Sequence, residues 1–145
     1  MNGPFGGKDG GGYDEQHGKH KVKIIDAWGT KFKTYDVLNG FQFIWDDGHR
    51  SNLIGHRNDS NYKGVEFNDG EKITDMTVHA GNGEGYVNGF EFNTNQNRHY
   101  SIGGKEGKAF PLKNLGTGYL TGATGGYPNH GCGDVVDSMD IYFLT

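Results

Sequence analysis

The chain repeats itself, and the period of the repeat limits the folds open to it. Asn39-Gly40-Phe41-Gln42-Phe43, Asn88-Gly89-Phe90-Glu91-Phe92 and Asp137-Ser138-Met139-Asp140-Ile141 share one template: Asn or Asp, a small residue, an apolar, a polar and another apolar residue. Their first positions, 39, 88 and 137, are twice 49 residues apart, so three units account for a 145-residue chain. Lys23-Ile24-Ile25-Asp26 and Lys72-Ile73-Thr74-Asp75 repeat with the same spacing, and Gly6-Gly7-Lys8-Asp9-Gly10 returns 97 residues later as Gly103-Gly104-Lys105-Glu106-Gly107. Within each unit the apolar residues alternate with polar ones, as in a strand with one buried face. Three such faces can be buried only against one another. The expectation is a single domain over residues 1–145, a three-sided prism with pseudo-threefold symmetry.

Glycine supplies 27 of the 145 residues, far more than the roughly 7 per cent of an average protein. Combined with 13 per cent aromatics and three prolines, this fits either disorder or a turn-rich β protein, and the alternation selects the second. No long helical periodicity occurs, so the fold class is all-β. Strands are expected at residues 21–28, 32–35, 50–54, 65–67, 72–79, 109–112, 118–124 and 135–144. Phe41, Phe43 and Trp45 line one inner face, and Phe90 and Phe92 another. Residues 3–14 read as a glycine loop, and the second unit as residues 55–103. If the terminal strands complete one sheet, the glycine loop comes to lie beside the turn at Asp137.

A net charge of −4 with scattered Lys and Arg leaves no basic stripe for phosphates, so nucleic acid is not an expected partner. No apolar run approaches the roughly 18 residues of a membrane helix, so membrane insertion is not expected. Residues 1–20 lack the apolar core of a signal peptide. Mature secreted proteins have lost that segment, and an extracellular location is the expectation, with the cytoplasm as the alternative. Cys132 is the only cysteine, which excludes an intrachain disulfide and leaves either a free thiol or a bridge between chains. Asn58-Asp59-Ser60 is a glycosylation sequon in a polar loop.

Near the C terminus, Gly133-x-x-x-Asp137 places a carboxylate and several backbone N–H groups on one short turn, suited to a polyhydroxylated ligand. The loop before it carries Tyr127 and His130, a candidate specificity element. Together, Gly3-Pro4-Phe5-Gly6-Gly7 near the start, Val87-Asn88-Gly89-Phe90-Glu91-Phe92 with Thr94-Asn95 in the middle, and Gly133-Asp134-Val135-Val136-Asp137 at the end resemble the jacalin-related lectins. The resemblance spans essentially the whole chain. It implies a β-prism I fold of three four-stranded Greek-key sheets, sugar binding without metal or cofactor, and no catalytic residues. It further implies sugar contacts from Gly10 and Gly11 in the glycine loop, and from Gly133, Asp134, Val135 and Asp137 in the C-terminal loop. Asp134 and Val135 would donate backbone N–H groups and Asp137 would accept from sugar hydroxyls. An uncleaved segment before Gly10 marks the mannose/glucose class of that family, with galactose as the alternative.

The other two units depart from this pattern. In the second, Tyr86, Asn88 and Gly107 form a candidate weak second site, with Asn88 in place of the carboxylate. The first has Tyr35 and Asn39 at the matching positions, and no sugar is expected there. The rival classes are an enzyme and a matrix or scaffolding protein. Asp134, Asp137 and Asp140 could pair as in glycosidases, but strand parity sets Asp140 opposite Asp137, and no nucleophile or His pairing supports catalysis. A scaffold would use acidic turns such as Asp46-Asp47 to contact mineral or a divalent ion. The expected partners are glycans or glycoproteins, together with a second copy of the chain in a homodimer, formed through a prism face or through Cys132.

Overall fold

The structure is a computed structural model and describes residues 2–6, 12–32, 35–81, 87–126, 136 and 138–145, with backbone alone at 2–4, 6, 32 and 35. The alternating segments form strands, and no helix occurs among the described residues. In chain order the strands are β1 (Asn2–Gly6), β2 (Gly12–Gln16), β3 (Val22–Phe32), β4 (Tyr35–Trp45), β5 (Ile54–Gly55) and β6 (Tyr62–Glu66), followed by β7 (Ile73–Ala80), β8 (Val87–Thr94), β9 (His99–Gly103), β10 (Lys108–Pro111), β11 (Leu120–Gly126) and β12 (Ser138–Phe143). They pair antiparallel in three four-stranded sheets, ordered β5-β4-β3-β6, β10-β7-β8-β9 and β1-β12-β11-β2. In the first two, three successive strands form a meander and the fourth returns beside the first, which is a Greek key. The third has the same order with its start moved: β11 and β12 begin the key, and β1 and β2, from the other end of the chain, complete it.

Several expected strands change as a result. Residues 32–35 are not a strand of their own, because Phe32 ends β3 and pairs with Tyr35 at the start of β4. Residues 3–14, read as a loop, supply β1 and β2. Their glycines are held in strands by the backbone partners that β12 and β11 offer. The unit boundary at residue 55 also shifts. β6 pairs with β3, and β10 with β7, so each belongs to the sheet before it.

The inner faces meet as the alternation requires. Phe41, Phe43 and Trp45 from the first sheet, Val78, Phe90 and Phe92 from the second, and Ala123, Met139 and Ile141 from the third are all buried. Each large side chain taken out of water this way contributes about 2 to 3 kcal/mol. Tyr13 meets Phe41 edge to face, with ring centroids 5.7 Å apart, and the Trp45 indole N–H donates to the Thr121 carbonyl at 2.9 Å, tying the first sheet to the third. Asp140 is a correction: it lies on the polar side of the alternation yet is only 3% exposed. The Tyr142 hydroxyl donates to it at 3.4 Å, part of a polar layer on the outer face of that sheet.

At the centre three residues spaced by 49 meet. Leu38, Val87 and Val136 are each fully buried. The Val136 N–H donates to the Leu38 carbonyl at 3.2 Å, and the Val87 N–H donates to the Val136 carbonyl at 2.9 Å. Sheet-to-sheet backbone bonds therefore run through the position that immediately precedes Asn39, Asn88 and Asp137 in the three units.

Candidate functional site

Gly10, Gly11, Gly133, Asp134, Val135 and Asp137 lie outside the described residues, as do Tyr127, His130, Tyr86 and Cys132. The residues that flank them are described, and they fall in one row across the third sheet. Gly6 pairs with Ser138, and Gly126 pairs with Gly12. The two middle members are joined by the Gly126 N–H donating to the Ser138 hydroxyl at 2.8 Å. The Tyr13 hydroxyl then donates to the Ser138 carbonyl at 2.9 Å, a contact spanning 125 residues of sequence. Val136, pinned between Leu38 and Val87, sets the chain immediately before Asp137. The sequence-predicted glycine loop and C-terminal turn thus leave from, and return to, the same row.

In the second sheet Asn88 and residues 103–107 are described, and residues 82–86 are not. Gly103 has φ +77°, and a side-chain carbon there would stand 2.2 Å from the Asn88 carbonyl. In the first sheet Gly55, with φ +84°, would meet the Asn39 carbonyl at the same 2.2 Å. Both positions are therefore closed to any other residue. Asn88 and Gly107, predicted to share a weak site, are brought together: a carbon added at Gly107 would lie 2.9 Å from the Asn88 amide oxygen. Nearby, His79 Nε2 lies 2.7 Å from Glu91, which holds the Glu91 carboxyl below its usual range, and Lys105 adds to that effect. In the first sheet the Asn39 amide N–H donates to the His56 carbonyl at 3.0 Å. Its side chain is thus used to hold the strand edge.

A family model for the jacalin-like lectin domain matches residues 2–142. The chain belongs to the jacalin-like lectin domain family. Among solved structures, this domain is similar to artocarpin in complex with mannotriose, at 21% identity and a TM-score of 0.77 over 97% of this chain and 93% of that one. It is likewise similar to Calystegia sepium agglutinin, at 19% identity and a TM-score of 0.67 over 97% of this chain and 92% of that one. A lamprey immune protein matches with a TM-score of 0.75 and 21% identity over 97% of this chain, which spans only 43% of that longer protein. No curated protein sequence matches at a significant level. The similarity establishes for the jacalin-like domain the β-prism fold of three sheets.

Two clefts of the jacalin-like domain are lined by described residues. One, of about 340 Å³, is lined by Lys21, Asp46, Phe67, Glu71 and Tyr119. The other, of about 360 Å³, lies on the first sheet between Trp28, Arg57, Asp59 and Tyr62. In the second cleft the Tyr62 hydroxyl donates to Asp26 at 2.5 Å, which raises the tyrosine's pKa. Sequence reasoning also missed a grouping of His17, His20 and Asp47, whose ligating atoms lie within 4.8 Å of one another. Each half is local, the His17-x-x-His20 spacing and the Asp46-Asp47-Gly48 turn, but nothing in the sequence joins them.

Proposed function

We propose that this domain binds mannose- or glucose-type glycans, without metal and without catalysis, between residues 7–11 and 127–137. The observation that supports the reading is the row Gly6, Ser138, Gly126, Gly12, whose residues flank both segments in the sequence. Asp137 accepts hydrogen bonds from two sugar hydroxyls, and charge-assisted bonds of this kind are the stronger ones. The N–H groups of Asp134 and Val135 donate to the ring substituents. Gly10 and Gly11, lacking side chains, let the backbone approach the sugar. Artocarpin, solved with mannotriose and with methyl-α-mannose, lends support to this sugar class.

A single shallow site of this kind binds a monosaccharide on the order of millimolar, about −4 kcal/mol. Useful avidity then comes from several sites on one particle, and a homodimer is part of the proposal. The deciding test is a glycan array with the native protein and Asp137→Ala side by side, repeated with EDTA. Mannose- or glucose-terminated signals that survive EDTA and vanish in the variant support the reading. Galactose signals, or signals unchanged in Asp137→Ala, overturn it. Sedimentation of a strictly monomeric species removes the dimer.

A further inference from the structure

The grouping at the other end of β2 has the chemistry of a metal site. Gly12 begins β2 in the row that flanks the sugar segments, and His17 follows its last residue, roughly 17 Å further along the strand. There the turn after β2, carrying His17 and His20, packs on the turn after β4, carrying Asp46, Asp47 and His49. Backbone bonds fix both turns: the His20 N–H donates to the His17 carbonyl at 3.1 Å, the Gly48 N–H to the Trp45 carbonyl at 2.9 Å, and the Asp46 N–H to the Lys21 carbonyl at 2.8 Å. The His17 ring stacks on His20 and His49 with centroids 4.7 and 4.3 Å apart, and Trp45 closes the apolar side at 5.4 Å.

We propose that His17, His20 and Asp47 form a binding site for a divalent transition ion of the zinc type, with Asp46 as the orienting carboxylate behind His20. His17 Nε2 lies 2.6 Å from Asp47 Oδ2, and His20 Nε2 lies 3.8 Å from the same oxygen. Two ligands of a tetrahedral zinc ion, each about 2.0 to 2.1 Å from the metal, stand about 3.4 Å apart. The first spacing must therefore open by about 0.8 Å and the second close by about 0.4 Å. The three side chains are 31 to 47% exposed and can make that adjustment. His20 is already arranged for the role. Its Nδ1 lies 2.8 Å from Asp46 Oδ1. Since an ionised carboxylate can only accept, the His20 proton facing Asp46 sits on Nδ1 and leaves Nε2 free to ligate. The same rule puts a proton on His17 Nε2 that is released, or moves to Nδ1, when the metal binds. A carboxylate behind a ligating imidazole is the usual outer support of a metal-bound histidine.

The charge also fits. Two carboxylates and neutral imidazoles offer −2 to a dication. A mixed nitrogen and oxygen donor set selects zinc, copper or nickel over calcium, which takes oxygen alone. Three protein ligands leave one coordination position open.

The test is isothermal titration of the untagged full-length chain with zinc chloride, and separately with calcium chloride. One saturable zinc site per chain and no calcium binding are expected. His17→Ala and His20→Ala should each weaken zinc at least about tenfold, and Asp46→Asn by about tenfold through loss of orientation. His99→Ala, at a distant histidine bonded to Asn93, should leave zinc binding unchanged. Circular dichroism of each variant confirms folding, as expected for substitutions on exposed turns. No saturable zinc binding, or binding kept in both His17→Ala and His20→Ala, overturns the proposal. So does loss of zinc in His99→Ala.

Discussion

Glu71 carries the strongest single electrostatic prediction. Its side chain is fully buried between the first and second sheets. It accepts from Arg98 Nε at 2.8 Å and Nη2 at 2.5 Å, from the Thr94 hydroxyl at 2.7 Å and from the Asn68 N–H at 2.9 Å. The Arg98 bonds, followed by those from Asn68 and Thr94, outweigh burial and lower its pKa from 4.5 to about 2. At about 1.4 kcal/mol per pH unit, the ionised form contributes about 3 kcal/mol of stability. Because the folded value lies below the unfolded one, that contribution is whole above about pH 4.5 and is lost as the pH falls toward 2. Glu71→Gln keeps the shape and removes the charge. Urea unfolding of both proteins at pH 7, 5, 4 and 3 should show the variant about 3 kcal/mol less stable at pH 7, with the gap closing steadily below pH 4.5. Other carboxylates titrate equally in both proteins and cancel in the difference. A gap that stays constant from pH 7 to pH 3, or one below about 0.5 kcal/mol at pH 7, would refute the assignment.

Val136→Ala should cost about 2 kcal/mol in urea unfolding and also weaken the proposed sugar binding, since the residue immediately precedes Asp137; a stability loss with unchanged sugar affinity would separate the two roles. Gly103→Ala should destabilise far more than Gly70→Ala, although both have positive φ, because only Gly103 would drive its carbon against the Asn88 carbonyl. Equal thermal shifts for the two would contradict that contact. Asn58→Ala should cost about 1 kcal/mol by removing the bond at 2.8 Å to the Gly29 carbonyl.

The prism was legible because three apolar faces of equal period have only one place to go. The period could also show that Asn88 and Gly107 meet, since each copies a position in the better-formed unit. What it could not show was the docking of the fourth strand of each key. That choice is made by tertiary pairing, so β6 and β10 were assigned to the wrong unit. β1 and β2 were hidden for the same reason, being strands only because β12 and β11 supply backbone partners. Leu38, Val87 and Val136 obey the period, yet an aliphatic residue before Asn or Asp looks like any other core position until the backbone bonds between sheets are seen. The histidine grouping comes from two turns 30 residues apart, a distance at which no local pattern speaks.

The third sheet, built from both ends of the domain, also sets a schedule for synthesis. β1 and β2 leave the ribosome before β11 and β12 and wait for them over about 125 residues, by the Tyr13 to Ser138 contact. At roughly 5 to 20 residues per second that wait lasts about 6 to 25 seconds. Strands without partners invite mispairing with neighbouring chains. Pro4 in β1, and Asp14 and Glu15 in β2, are residues that discourage such pairing, so the waiting strands carry their own protection. The row that flanks the proposed sugar segments needs strands from both ends of the domain, so a nascent or truncated domain cannot assemble it.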